Sequence, residues 1–225
     1  MTTTDELKQQ ICEIGKRAWT REFVAACDGN ISARLDEDRV LCTPTMTCKG
    51  FMTPDSLCIV DMDGTQIEGQ NRPTSEIKLH LSIYRQRSDV RSVFHSHPPH
   101  ATAFAVTGQP IPNHVLAEPE IFLGNVSIAP YATPGSDAFA RSIDPFVASS
   151  NAVLLANHGA VTYHHSVETA FWLTEMLDAY CRILINAKAI GSVQTLTDVK
   201  PKNWPLCGSV WDTHLDQTRL VNCTV

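Results

Sequence analysis

From Asp28 to Gly64 the chain repeatedly breaks and resumes. Asp28-Gly29-Asn30 is followed by short apolar segments at 31–34, 40–42 and 57–60, each ended by polar residues, and then by Asp63-Gly64. Such segments are too short for amphipathic helices, and Asp-Gly after an extended run favours a tight hairpin. Strands joined directly by turns pair antiparallel, because a parallel return needs a long crossover. The pattern predicts a sheet that begins as a series of hairpins.

Helical signals surround this region. Thr3 with Glu6 forms a capping-box pattern, and Leu7, Ile11, Ile14 and Ala18 recur on one face, which predicts a helix running to about Cys27. Pro73-Thr74-Ser75-Glu76 reads as a second helix start, with Glu76 in the first turn and Ile77, His80, Leu81 and Tyr84 following at helical spacing. Residues 90–95 have strand character and stop before Pro98-Pro99, and residues 101–106 suit a short helix. A strand at 152–156 leads to Asn157-His158-Gly159. Ser166 then caps a long helix with Val167, Ala170, Phe171, Thr174, Leu177 and Cys181 on its inner stripe, closed by Gly191. Periodicity alone points to α+β or a layered sandwich. The length, 225 residues, suits one domain spanning 1–225. Its tail, 192–225, carries Trp204, Val210, Trp211 and Leu215 and is expected to pack on the domain or on a neighbouring subunit.

Charge narrows the function. A net charge of −6 without a Lys/Arg cluster disfavours nucleic acid, whose binding requires concentrated positive charge. The polar start has no secretion-signal pattern and no run is long enough to span a membrane, so a cytoplasmic protein is expected. The 8 cysteines lack a C-x-x-C pair and fit reduced thiols.

His95-Ser96-His97 is the sharpest chemical feature, because alternate residues of a strand project to one side and bring two imidazoles to one metal ion. His158, at another strand end before Gly159, is the leading third ligand, and three histidines leave a coordination position open for substrate. The same residues also fit a polar strand end and a hydrogen-bonded core histidine. Among the others, His80, His100 and His114 are further candidates, of which His80 reads as a core histidine and His100 lacks the alternating geometry, while His164 and His165 read as a solvated turn. Glu76 fits an ordinary helix-start charge, yet the hydroxyls and amides of Thr74-Ser75 beside it suit an anion. Gly29-Asn30 and Thr43-Pro44-Thr45 are similar polar loops.

In order, Gly29-Asn30-Ile31-Ser32, Thr43-Pro44-Thr45, Thr74-Ser75-Glu76 with His80, His95-Ser96-His97, Ala129-Pro130-Tyr131 and Asn157-His158-Gly159 resemble the class II aldolase/adducin-head family over residues 5–191. The resemblance implies an α/β fold: three α/β/α layers around a central, mainly antiparallel mixed sheet. It also implies a C4 homotetramer with active sites between subunits. It assigns one zinc per subunit, or another divalent metal, to His95, His97 and His158, with Glu76 as acid/base and resting fourth ligand. Gly29, Asn30, Thr45, Thr74 and Ser75 would hold the substrate phosphate. The implied activity is reversible cleavage of a ketose 1-phosphate of the L-fuculose-1-phosphate type to dihydroxyacetone phosphate and an aldehyde. The family also includes epimerases, dehydratases and decarboxylases acting on sugar phosphates or sugar acids, and non-catalytic adducin heads.

The sequence departs from the pattern twice. Met46 stands where family aldolases commonly have glycine, which is expected to crowd the phosphate loop or tilt its donors. Val115 stands where the fuculose-phosphate enzyme has its catalytic tyrosine, with Glu118 and Glu120 nearby. Glu118 reads either as a replacement proton donor or as a surface or interface carboxylate.

Overall fold

The computed structural model describes residues 2–197. Eight strands form a single sheet: β1 (Asn30–Arg34), β2 (Arg39–Cys42), β3 (Cys58–Asp61), β4 (Gln66–Glu68), β5 (Ser92–Ser96), β6 (Ser127–Ala129), β7 (Ala152–Leu155) and β8 (Gly159–His164). Their order is β4-β3-β2-β1-β5-β8-β7-β6. The early segments pair antiparallel in succession, as their turns dictate, and Gly64 takes φ 86° in the turn between β3 and β4. Only β6 pairs parallel, with β7, across a crossover that contains α5 (Asp137–Ser142) and α6 (Asp144–Val147).

Side chains alternate across the strands and so bury both faces. Val40, Val60, Val93 and Val161 face α2 (Ile77–Gln86), α5 and α6. On the opposite face Ile31, Leu41, Ile59 and Phe94 meet α1 (Thr4–Thr20) and α7 (Val167–Ile190), while Leu154 and Ala160 meet α3 (Pro99–Thr107) and α7. Burying each large apolar side chain contributes about 1.5–3 kcal/mol. The result is the three-layer α/β/α arrangement around a mainly antiparallel sheet that the resemblance implies.

Several details differ from the sequence reading. The capping box of α1 forms, with Glu6 N–H donating to Thr3 Oγ1 (3.2 Å) and Thr3 N–H to Glu6 Oε2 (2.7 Å). The helix nevertheless ends at Thr20 rather than near Cys27. Glu22 turns left-handed (φ 61°) and Phe23 N–H reaches back to Ala18 O at 2.9 Å, a Schellman closure that buries Phe23 early. Glu76 caps α2 instead of lying in its first turn, because Thr74 and Ser75 form a preceding turn in which Ile77 N–H donates to Thr74 O at 3.3 Å. His164 ends β8 opposite Ser92 and so belongs to the sheet rather than to a solvated turn, whereas His165 lies in the bend that follows and is half-buried. A pairing register continued by β5 has taken His164 into the sheet. Trp204, Val210, Trp211 and Leu215 lie outside the described residues.

Candidate active site

Sheet order brings together residues that are distant in the chain. His95 lies on β5 and His97 one residue beyond its end. His158 sits in the turn from β7 to β8, and β8 pairs directly with β5 (His95↔Val161, Ser96↔Ala160), which sets His158 beside them. One ligand atom from each histidine lies within 4.8 Å of the others. Gly159 makes this approach feasible, because a Cβ there would come within 2.5 Å of His97 Cδ2 and of Ser96 O. The cap of α2 delivers Glu76 to the same point: Oε1 is 3.1 Å from His158 Nε2 and Oε2 is 3.3 Å from His95 Nε2.

The rings are held through their far nitrogens. His95 Nδ1 faces Ala160 O at 2.9 Å, an acceptor, so Nδ1 carries the proton and Nε2 keeps its lone pair. His97 Nδ1 faces the Asp28 carboxylate at 3.3 Å, which fixes the same tautomer and turns Nε2 inward. Among the described residues that buried Nε2 has no hydrogen-bond partner. His95 Nε2 and His158 Nε2 stand only 3.1 Å apart. Two adjacent nitrogens, one with its lone pair exposed, together with an orphaned third nitrogen and a carboxylate, are satisfied together by a cation. The residues present fit a divalent metal.

Electrostatics favour the ligand forms. Burial pushes the His95 pKa down to about 3, against the opposing pull of Glu76, so the ring is neutral at ordinary pH. Burial also lowers His97, helped by His158. For Glu76, burial raises the pKa, but His95, the His158 hydrogen bond and the Asn30 amide outweigh it and hold the carboxyl below its usual range. Glu76 is therefore an anion. Its Oε2 accepts from Asn30 Nδ2 at 2.7 Å, and Asn30 Oδ1 lies 2.6 Å from His80 Nε2. His80 is fully buried, and burial takes it down to about 4, so it is a neutral core histidine that donates through Nε2 and accepts from Ser32 Oγ at 2.7 Å.

The expected phosphate residues share one cleft. Gly29, Asn30, Thr45, Thr74 and Ser75 line a cavity of ≈ 190 Å³ that also reaches Glu76, His97 and His158. The Thr45 and Thr74 amides are already committed, to Arg72 O (3.0 Å) and Thr43 O (3.1 Å), so these two residues offer hydroxyls rather than amides. Met46 adopts the glycine-like φ of 52°, but its side chain is 80% exposed at the rim and does not fill the loop. Val115 packs into the apolar cluster below α4 (Ala117–Phe122), and Glu118 on that helix is exposed, outside the cleft. His100 is paired with Asp178 and His114 with Glu120.

Sequence reading overlooked Asp28 and Lys49, both in the cleft wall. Asp28 was hidden as a turn residue. Lys49 follows no periodic pattern, and lysine is ordinarily a surface residue.

Residues 9–185 match the family model for the class II aldolase and adducin N-terminal domain. The chain belongs to that family. Over 192 residues it is 32% identical to the 3-oxo-tetronate 4-phosphate decarboxylase of Cupriavidus necator, covering 84% of this chain and 88% of that one. It is 30% identical over 200 residues to the 5-deoxy-D-ribulose 1-phosphate aldolase of Bacillus thuringiensis, with coverages of 87% and 92%. Among solved structures, YgbL of Klebsiella pneumoniae, described as an aldolase, epimerase or decarboxylase, superposes with a TM-score of 0.82 at 27% identity, covering 88% of this chain and 96% of that one. An L-fuculose 1-phosphate aldolase superposes at 0.79, also at 27% identity, with coverages of 86% and 91%. This class II aldolase family member is thus a metal-dependent enzyme of the aldolase type, and sugar phosphates are the substrates that its relatives' names share. No helix among its described residues is long and apolar enough to cross a membrane.

Proposed function

We propose that the protein is a zinc-dependent lyase that reversibly cleaves a ketose 1-phosphate, of the L-fuculose-1-phosphate type, to dihydroxyacetone phosphate and an aldehyde. The observation that carries this reading is the convergence of His95, His97 and His158 on one point touched by the Glu76 carboxylate. Three imidazoles form a donor set suited to zinc with an open position. When bound there, zinc would act as a Lewis acid on the substrate's ketone oxygen and make the adjacent carbon acidic.

The remaining steps belong to the chain's own groups. Glu76, anionic and in the wall of the cleft, exchanges the proton at the nucleophilic carbon: it takes the proton in the condensation direction and returns it after the carbon–carbon bond breaks. Asn30 holds one carboxylate oxygen and thereby orients the other toward the substrate. Gly29, Asn30 and the hydroxyls of Thr45, Thr74 and Ser75 receive the phosphate and fix the distance from phosphate to reacting carbon. A C4 homotetramer with sites between subunits goes with this reading and is measured by light scattering on the purified protein. Free thiols at all six described cysteines support a reducing, cytoplasmic setting.

A second reading is decarboxylation of a phosphorylated 3-oxo sugar acid. Val115 favours it, because carbon dioxide departs without needing a proton donor at the position where the aldol reaction employs a tyrosine, and the Cupriavidus necator relative carries that activity in its name. Incubating zinc-loaded protein with a panel of ketose 1-phosphates and 3-oxo sugar-acid phosphates, with products identified by NMR, separates the two. Dihydroxyacetone phosphate supports the aldolase, and carbon dioxide the decarboxylase. An inverted stereocentre without bond cleavage overturns both.

A further inference from the structure

Lys49 is 1% exposed, yet its side chain belongs to the cleft wall. Its ammonium donates to Cys27 O at 2.8 Å and Thr47 O at 2.6 Å, one carbonyl from each of the two loops that border the anion cradle. Among the described residues no carboxylate forms an ion pair with it, and two carbonyls occupy two of its three donors. A buried charge without a direct ion pair is costly, and burial lowers the Lys49 pKa against the opposing pull of the nearby Asp28 and Glu76 carboxylates. The fold nonetheless fixes it firmly. Lys49 opens a single 3-10 turn, Lys49–Phe51, packed on α1, where a Cβ on Gly15 would lie 2.5 Å from Lys49 O.

The charges lining the cleft say what this cation is for. Asp28 and Glu76 contribute negative charge, and among the described residues Lys49 is the one Lys or Arg in the wall. The Thr45 and Thr74 amides, which would otherwise serve an anion, are spent on backbone carbonyls. We infer that Lys49 is a specificity residue: its ammonium, with two of its three donors fixed on the carbonyls of Cys27 and Thr47, offers the third as the counter-charge for the phosphate monoester end of the substrate. This rests on the phosphate-substrate reading above. A dianion entering between Asp28 and Glu76 meets repulsion unless a cation lies beside its path, and a lysine tied to both loops supplies that charge without a surface side chain having to be ordered on binding.

Inorganic phosphate is the probe. It is titrated by calorimetry into zinc-loaded wild type, Lys49→Gln and Lys49→Arg, with zinc content measured in each. The expected result is saturable binding to wild type, at least tenfold weaker binding to Lys49→Gln, near-wild-type binding to Lys49→Arg, and equal zinc in all three. With the phosphorylated substrate identified by the product panel, Lys49→Gln should raise KM at least tenfold while kcat changes less than threefold. A mere loop staple would instead depress kcat and zinc content together. Phosphate binding to Lys49→Gln within twofold of wild type overturns the assignment of Lys49 alone. Absence of phosphate binding to wild type overturns the phosphate reading and this inference with it. Should Lys49→Gln fail to fold, 15N-lysine-labelled wild type decides: a slowly exchanging Nζ signal that moves with added phosphate supports the assignment, and no moving signal overturns it.

Discussion

Asn30 Nδ2 stands 2.7 Å from Glu76 Oε2, and the opposite end of the same amide is claimed by His80 Nε2 at 2.6 Å. The ionised Glu76 carboxylate can only accept there, so the amide turns its N–H to Glu76 and its oxygen to His80, which donates through Nε2. Asn30→Asp replaces that donor with a second carboxylate. The two like charges then share a proton, and kcat should fall by roughly a hundredfold or more at neutral pH, while zinc content stays near wild type. Kinetics paired with elemental analysis checks this. Unchanged kcat would show that the carboxylate needs no such orientation.

Removing the proposed proton carrier is more drastic. Glu76→Gln keeps the shape and the Asn30 neighbour but has no ionisable group, so turnover should drop by about three orders of magnitude, with the metal retained on three histidines. Full activity in this variant would refute the acid/base role.

Metal removal should act on stability as well as on activity. Because only the folded chain assembles the three imidazoles, binding adds its free energy to folding. Chelation should abolish activity and lower Tm by several degrees, and zinc or cobalt should restore both. A Tm indifferent to chelator would indicate that the trio holds no metal.

His80 makes acid stability predictable in sign. Its folded pKa, about 4, lies below the ordinary value of 6.5. The unfolded chain therefore takes up a proton between these values while the folded one does not. Stability is complete above about 6.5 and declines as pH falls toward 4, by on the order of 3 kcal/mol for this one group. Urea midpoints at pH 7, 5.5 and 4.5 should fall accordingly, and a His80→Gln variant should show a shallower decline between the same points.

Met46 holds a left-handed backbone that glycine adopts without strain (φ 52°), and its side chain lies mostly in solvent. Met46→Gly should therefore stabilise the protein by up to about 1 kcal/mol, read as a shift in the denaturation midpoint. A destabilised variant would show that the thioether's contact with Cys27 Sγ, at 4.0 Å, outweighs the backbone strain.

Much of this site was legible before any coordinates. The His-x-His spacing fixed two nitrogens on one strand end, and a strand-ending His158 followed by glycine was the natural third. Strand alternation and turn chemistry are local rules, so the hairpin series from β1 to β4 followed directly. What stayed hidden depends on long-range approach. Nothing local to Lys49 marks it as buried, since its position is set by Gly15 some thirty residues earlier. The end of α1 was misplaced because apolar Phe23 and Val24 prolong the helical pattern, although they serve a closing turn. Asp28 read as a turn former and also orients His97.

His95 and His158 become neighbours only through the β5–β8 pairing, which joins segments separated by more than sixty positions. A nascent or partly folded chain consequently lacks the complete three-histidine trap, and has at most the local His95–His97 pair to offer a stray dication. Loading waits until the centre of the sheet has closed, so stoichiometric metal content doubles as a gauge of correctly assembled protein in any preparation.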